Sequence, residues 1–377
     1  MKKGWEYKTI RDCCEILDSR RKPITKSKRE PGDIPYYGAT GLLDYVKDYI
    51  FDETLVLLGE DGAKWGPGES SAYQIYGKTW VNNHAHVLKP KSDIIDNYWL
   101  IYYLNYSDLN SFITGVTVPK LNQEKMTSIS VPTPPLSEQK EIVEYLDSSF
   151  AKIDKLKENA AKNHEEAKAL FQSALKNALE PKEGWEEKKM VEVCTIERGG
   201  SPRPIKKFLT KEENGLNWIK IGDTDPQGKY IYSTAEKIIS EGLKKSRWVD
   251  VDDFLLSNSM SFGRPYILKT NGCIHDGWLV LRNYQNFMNI DFFYYLLVSP
   301  LVQRQFKIKA QGSTVSNLNT QRVADVAIYI PPLPEQQSIV SFLDSLNEKV
   351  NTLQQNYSHI CDECDALKQA ILRQVFE

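Results

Sequence analysis

Residues 334–377, PEQQSIVSFLDSLNEKVNTLQQNYSHICDECDALKQAILRQVFE, decide how this chain folds. From Ile339 the positions Leu343, Leu346, Val350, Leu353, Tyr357, Ile360, Cys364, Leu367 and Ile371 follow in alternating steps of four and three. That spacing is a heptad seam, the mark of a helix packed along its length against another. A second seam in the same frame stands 197 residues earlier, within 137–180: Ile142, Leu146, Ser149, Ile153, Leu156, Ala160, Asn163, Ala167, Leu170 and Ala174. Two copies of one long helix are therefore predicted, each of about 43 residues and roughly 60 Å.

The economical way to cover both seams is to pack the copies antiparallel. Each globular segment, joined at the start of its own helix, would then be carried to an opposite end, giving a dumbbell with pseudo-twofold symmetry. Ser149, Ala160, Asn163 and Ala167 thin the first seam. They fit close approach of the helices, a further partner, or ordinary variation in a two-helix coiled coil, where polar seam residues also set register. Ser137 is a candidate cap for the first helix, and Pro334 suits the first turn of the second.

The remainder of the chain is duplicated too. GWEYKTIRDCCEI at 4–16 returns as GWEEKKMVEVCTI at 184–196, and GVTVPKLNQEKMTSISVPTPPLSEQ at 115–139 as GSTVSNLNTQRVADVAIYIPPLPEQ at 312–336. Between them Ala85 pairs with Gly277, and Tyr102-Tyr103-Leu104 with Tyr294-Tyr295-Leu296, at an offset of 192. The organisation expected is a first domain over 1–136, a helix over 137–180, a second domain over 181–333 and a helix over 334–377. TLVLLGEDGA at 54–63 reads as a buried strand ending in a Gly turn, WVNNHAHVLKP at 80–90 as strand, and DNYWLIYYLNYSDL at 96–109 as helix. LNWIKIGDTD, DDFLLSNSMSFGRPYIL, CIHDGWLVLRN and DFFYYLLVSPLVQRQF at 216–225, 252–268, 273–283 and 291–306 repeat that order. The fold class expected is α+β: two mixed, strand-rich domains held apart by two long antiparallel coiled-coil helices.

The 377 residues allow two or three domains, and 41% apolar with 11% aromatic residues is enough for ordinary cores. No run approaches the roughly 20 apolar residues of a membrane span. The start MKKGWEYKTI has no apolar segment after it, so no signal peptide is read and a cytoplasmic location without a membrane partner is expected. Cys13, Cys14, Cys194, Cys273, Cys361 and Cys364 are scattered and read as reduced thiols. The lone Cys361-x-x-Cys364 has no second pair, so core packing is preferred to zinc. The net charge of -2 conceals a contrast: 137–180 holds 7 basic and 9 acidic residues, 334–377 holds 3 and 7, 1–136 holds 17 of each, and 181–333 holds 21 and 17. An anionic partner therefore suits the globular parts better than the helices.

Catalytic patterns are lacking. Gly222 to Lys229 imitates a phosphate loop, yet has one residue too many between its glycines and no following Ser or Thr. No Gly-rich loop of the S-adenosylmethionine type is present. His84 and His86 alternate, but no third ligand stands at metal-site spacing, so neither a metal nor a catalytic residue is expected. What remains points to recognition. Arg20, Arg21, Lys22, Lys26, Lys28 and Arg29 cluster in the first domain; Arg203, Lys206 and Lys207, then Lys244, Lys245 and Arg247, cluster in the second. Such groups contact DNA phosphates, though hydrated charge runs are commoner. Asn82, Asn83, His84, Asn258 and His275 have the amide and imidazole groups that read base edges, or each closes a turn.

With the repeat established, the whole chain resembles the specificity subunit of type I restriction-modification systems. The resemblance rests on IPYYGATG at 34–41, on PPLSEQKEIVEYLD at 134–147 with PPLPEQQSIVSFLD at 331–344, on the helix ends LFQSALKNALE and LKQAILRQVFE, and on the domain-helix-domain-helix order. It implies two target recognition domains, each reading half of a bipartite double-stranded DNA sequence, with the helices setting the spacing and docking two methyltransferase subunits. Two restriction subunits can join such a complex. S-adenosylmethionine, ATP and Mg would be carried by those partners, and no cofactor by this chain. The competing expectation is a non-catalytic coiled-coil scaffold joining two protein-binding domains.

Overall fold

The computed structural model describes residues 4–115, 117–226, 228–258, 262–310 and 318–377. Residues 312–317 of the second repeat copy lie outside them, as do Val116, Gln227 and 259–261, which fall in stretches read above. The chain divides into two compact units, Met1–Lys162 with Tyr357–Glu377, and Asn163–Asn356.

In the first unit, Glu6–Thr9 pairs antiparallel with Ser130–Thr133, so the opening of the repeat closes on the strand before the double proline. Among the described residues two four-stranded sheets follow. The first runs in the order Cys14–Ile16, Ala85–Pro90, Leu55–Gly59, Ala72–Ile75; the second runs Gly41–Val46, Ile34–Gly38, Lys78–Val81, Phe51–Asp52. Leu55–Gly59 is buried throughout because successive side chains enter different cores. Leu55 and Leu57 pack with Phe51, Val81 and Val87, while Val56 and Leu58 pack with Leu88, Trp99 and Leu104 of the covering helix Asn97–Tyr106. Gly41, at φ +120°, lets the chain reverse between Ile34–Gly38 and its partner. The run 80–90, expected as one strand, is instead two strands in different sheets. Asn82 breaks it by accepting from the His84 N–H at 2.8 Å.

The second unit repeats this plan. Glu186–Lys189 pairs with Ala327–Ile330. One sheet orders Thr195–Arg198, Trp278–Arg282, Phe254–Ser257, Pro265–Leu268 and Tyr230–Ile231; the other orders Leu209–Thr210, Glu236–Ile238, Leu216–Ile219, Gly272–Ile274 and Arg247–Val249. The parallel pairing between Ile34–Gly38 and Lys78–Val81 recurs between Leu216–Ile219 and Gly272–Ile274. Register corrects the offset of 192 to 193. Ile16 stands against Leu88 as Ile196 against Leu281, and Tyr37 against Val81 as Ile219 against Ile274. Ala85 therefore matches Trp278, and Tyr102 matches Tyr295. A slip of one would turn every strand side chain to the wrong face.

The long helices are Leu136–Ala178 and Leu333–Phe376, of 43 and 44 residues. The Pro135 carbonyl accepts from the Glu138 and Gln139 N–H groups, so Ser137 lies inside the first turn and is not the cap expected. In the first unit the two helices run antiparallel: Asp154 pairs with Lys368 at 2.5 Å and Lys157 with Asp365 at 2.6 Å. Val143 and Leu146 join Leu372, Val375 and Phe376 in that unit's core. In the second unit Leu175 and Leu179 join Ile339, Val340 and Leu343.

The continuous seam needs correction. Leu146, Ile153, Leu343, Val350 and Cys364 are buried and Ile142, Leu346, Ile360 and Ile371 half-buried, but Leu156, Leu170, Leu353 and Leu367 are 51%, 55%, 40% and 49% exposed. The small Ala160 and Ala167 are also buried, so the seam is interrupted at these four outward leucines rather than continuous. No helix among the described residues is long and apolar enough to cross a membrane.

Candidate nucleic-acid interface

In the first unit the basic segment is pinned to the second sheet. Arg29 donates to Asp44 at 2.8 Å and lies 4.4 Å from the centre of the Tyr36 ring, whose hydroxyl accepts from the Ile24 N–H. That bond to Arg29 is the main reason the Asp44 carboxyl sits below the usual carboxylate range. Arg20 donates to Glu53 at 2.9 Å and lies over Phe51. Lys22, Lys26 and Lys28 are exposed on the same segment, and Asn83 and His84 are exposed in the turn after Lys78–Val81. His84 is oriented by Asp61 at 2.5 Å.

Two candidates in this unit are corrected. Arg21 is not a surface cation: its side chain is 13% exposed and binds Glu60 at 2.5 Å, Asp18 at 3.3 Å and the Ala85 carbonyl at 2.7 Å. Asn82 is buried and spends its oxygen on the His84 N–H, so it reads no base. Around Arg21 the structure gathers Asp18, Glu60 and His86, a trio with the atom types of a metal site. Its ligand atoms are already engaged. Lys120 and Arg21 hold Glu60, while His86 contacts Asp18 at 2.6 Å through Nδ1 and donates to the Leu121 carbonyl at 2.7 Å through Nε2. Burial, the largest single influence, pushes the Glu60 carboxyl up. The bonds from Lys120 and Arg21 and the charge of His86 outweigh it, and the group ends below its usual range. The trio is an ionic interior, not a vacant cation site.

In the second unit the two basic clusters come together beside one cleft of about 1090 Å³. Pro204, Ile205, Leu209 and Trp218 form apolar walls, and Arg203, Lys206, Lys220, Glu236 and His275 supply its polar groups. Lys245 lies 5.6 Å from the centre of the nearby Phe208 ring, and Lys207 and Lys244 are exposed on the same two segments. Arg203 faces Asp276 at 3.4 Å, and Lys220 faces Glu236 at 3.0 Å. Burial lowers the basicity of His275, and the Gly277 N–H donates to its Nδ1 at 2.8 Å. The Ser201 hydroxyl, at 2.5 Å, is the main influence holding the Asp276 carboxyl low. Arg247 is tied to Glu197 at 2.6 Å. Asn258 is corrected: it is 1% exposed and its amide donates to the Asp276 carbonyl at 2.8 Å.

Lys220 and Glu236 were not singled out in the sequence. They meet because Trp218 stands opposite Glu236 on adjacent strands, and Lys220 follows Trp218 by two, the step that returns to the same face. No thiol competes for a chemical role here. Burial pushes Cys13 and Cys273 up to about 11 and Cys14 and Cys194 up to about 12, so all four remain protonated core groups.

A strand-rich unit built twice, seated each time on the start of a long helix, with cations round its second sheet, is an α+β protein with an internal repeat. The chain belongs to the family of type I restriction modification DNA specificity domains, whose model matches residues 2–163 and 182–360. It is 30% identical over 356 residues to a Haemophilus influenzae protein assigned as the type I restriction enzyme specificity subunit S.HindORF215P, covering 92% of this chain and 89% of that one. It is 25% identical over 380 residues to the MjaVIII specificity subunit of Methanocaldococcus jannaschii, covering 92% and 87%. Among solved structures, a chain from the assembly and conformational transition of a type I R-M system aligns with TM-score 0.78 and 18% identity over 100% of this chain and 98% of its own. The HsdS subunit of Thermoanaerobacter tengcongensis aligns with TM-score 0.64 and 19% identity over 100% and 97%.

Proposed function

We propose that this chain is the DNA-recognition subunit of a type I restriction-modification complex, in which residues 1–136 and 181–333 each read one half of a bipartite target. The duplication carries this reading: one strand topology is mounted twice on a long helix, with different residues displayed round the second sheet. Two faces on one kind of mount suit a target with two different halves. Lys22, Lys26 and Lys28 in the first domain, and Arg203, Lys206, Lys207, Lys244 and Lys245 in the second, would meet phosphates, so affinity should fall as salt rises. Asn83 and His84, and the Lys220–Glu236 pair of the cleft, would address bases.

The long helices set the spacing of the half-sites and dock two methyltransferase subunits. Their outward leucines, Leu156 and Leu367 in the first unit and Leu170 and Leu353 in the second, supply apolar positions for such contacts. Up to two restriction subunits join in turn. Those partners would bring S-adenosylmethionine, ATP and Mg, leaving this chain a recognition role without catalysis in the cytoplasm. The test is sequencing of modified bases in host DNA with the gene intact, deleted, and with residues 1–136 exchanged for another such domain. Deletion should erase one bipartite adenine-modified motif, and the exchange should alter one half-site only. An exchange that altered both halves or neither, or co-expression with a methyltransferase partner that left DNA unmodified, would defeat the proposal.

A further inference from the structure

The glutamine that closes the Pro-Leu-x-Glu-Gln motif is buried in both copies, Gln139 at 0% and Gln336 at 1% exposure. Gln139 donates to the Ile94 and Pro134 carbonyls at 3.0 and 2.8 Å and accepts from the Asp96 N–H at 2.9 Å. Gln336 does the same with the Phe287 and Pro331 carbonyls at 3.0 and 2.9 Å and the Asn289 N–H at 2.9 Å. Asp96 and Asn289 are themselves the caps of the globular helices Asn97–Tyr106 and Ile290–Val298. One amide thus ties the start of the long helix to the start of the globular helix above it.

A second tie lies two turns further on. Tyr102 donates to Asp147 at 2.5 Å, and Tyr295 to Asp344 at 2.5 Å. From Asp96 to Tyr102, as from Asn289 to Tyr295, is about 9 Å of helix rise, and from Gln139 to Asp147 about 12 Å. One tie is a pivot, whereas two ties that far apart fix an angle. Both units carry both ties at matching positions, although the residues round their second sheets differ.

We propose that Gln139 with Tyr102–Asp147, and Gln336 with Tyr295–Asp344, form clamps that hold each recognition domain at one angle on its helix and so set how strictly spacer length is selected. The inference rests on the bipartite DNA recognition proposed above. These are positioning residues that touch no base. A loosened clamp lets a domain swivel about its mount, so the same bases are read across neighbouring spacer lengths.

The test uses the full chain co-expressed with its methyltransferase partner, comparing wild type with Tyr102→Phe/Tyr295→Phe and with Gln139→Met/Gln336→Met by sequencing of modified adenines. The Phe variants keep the packed rings and lose only the ties. We expect unchanged half-sites and a rise of about tenfold, the worth of a hydrogen bond to a charged group, in modification at spacers one base pair shorter or longer relative to the cognate spacer. The Met variants, which lose three bonds per unit, should relax the spacer further. Cognate modification with undiminished strictness in the Phe variants, a uniform fall at all sites, or altered half-site bases would overturn the clamp. If the wild-type complex itself modified no bipartite motif, the recognition reading would fall and the clamp with it.

Discussion

Where the first unit buries Glu60 and His86, the second has Asn258 and Leu279, as the pairing of Leu58 with His86 and of Leu256 with Leu279 establishes. The first therefore has an ionic interior, with Glu60 held by Arg21 and Lys120 and His86 by Asp18. The second fills the same sheet with Trp278 and Leu279, both buried in apolar clusters. Its comparable charges stand outward, Arg203 against Asp276 and Lys220 against Glu236 at the cleft. At the site of Trp218 the first unit has Tyr36, covered by Arg29. Yet the glutamine and tyrosine–aspartate ties are alike in both. What mounts a unit on its helix is repeated, and what fills its first sheet and faces its second is free to differ. A recognition protein needs that division if its two halves are to read different sequences from one scaffold.

The largest expected effect tests the ionic interior. Glu60→Gln leaves Arg21, with a side chain only 13% exposed, without one of its two carboxylates, and should cost about 3 kcal/mol. The matching Asn258→Ala removes one hydrogen bond and an oxygen that has no partner among the described residues, for about 1 kcal/mol. Denaturant unfolding of the two variants measures both. Equal losses would mean that the buried charges do not distinguish the units.

Periodicity made much of this legible. Steps of three and four announced the two long helices, and the apolar run at 55–58 announced a buried strand, because both patterns are local. The one-residue error in the offset was not legible, since Tyr-Tyr-Leu aligns by identity at 192 while the caps Asp96 and Asn289 require 193. Nor was the exposure of Leu156 and Leu367, because a heptad pattern marks apolar positions without saying how many neighbours cover them. Arg21 looked like its basic neighbours, and only folding brings Glu60 and Lys120 to it from distant segments. The cleft escaped for the same reason: Lys220 and Glu236 are ordinary charged residues until their strands pair. Gln139 and Gln336 were visible as a motif, but their partners lie in the unremarkable loops at 94–96 and 287–289.

Acid should separate the units with a smaller effect. His275 has a folded pKa below its ordinary 6.5 because burial disfavours the imidazolium. The unfolded chain therefore binds more protons below pH 6.5, and the second unit loses stability as pH falls from there towards the lowered value. Glu60 behaves differently. Its folded pKa is below the ordinary 4.5, so its contribution is intact above 4.5 and is lost only as pH falls through the lowered value. Between pH 6.5 and 5, hydrogen exchange corrected for intrinsic rates should rise over 216–221 and 272–278 but not over 55–60 and 85–88. His275→Asn should remove that difference, and a first unit that loosened in step with the second would contradict the assignment.

The smallest effect concerns the tryptophans that open each repeat. Trp5 donates to Glu138 at 3.0 Å. Its counterpart Trp185 has a buried ring nitrogen without a partner among the described residues, because Glu335, which matches Glu138, turns to Lys182 at 3.8 Å, and Lys182 lies 5.8 Å from the centre of the Trp185 ring. Replacing either indole by phenyl removes similar apolar volume, so the difference between them isolates the hydrogen bond. Trp5→Phe should therefore cost about 1 kcal/mol more than Trp185→Phe in denaturant unfolding. Lys182→Ala should narrow that gap by freeing Glu335 to accept from Trp185, since a carboxylate relieved of one cation turns to the nearest buried donor. A gap that Lys182→Ala left untouched would show that the lysine does not hold Glu335 away, and that the two mounts differ in backbone placement instead.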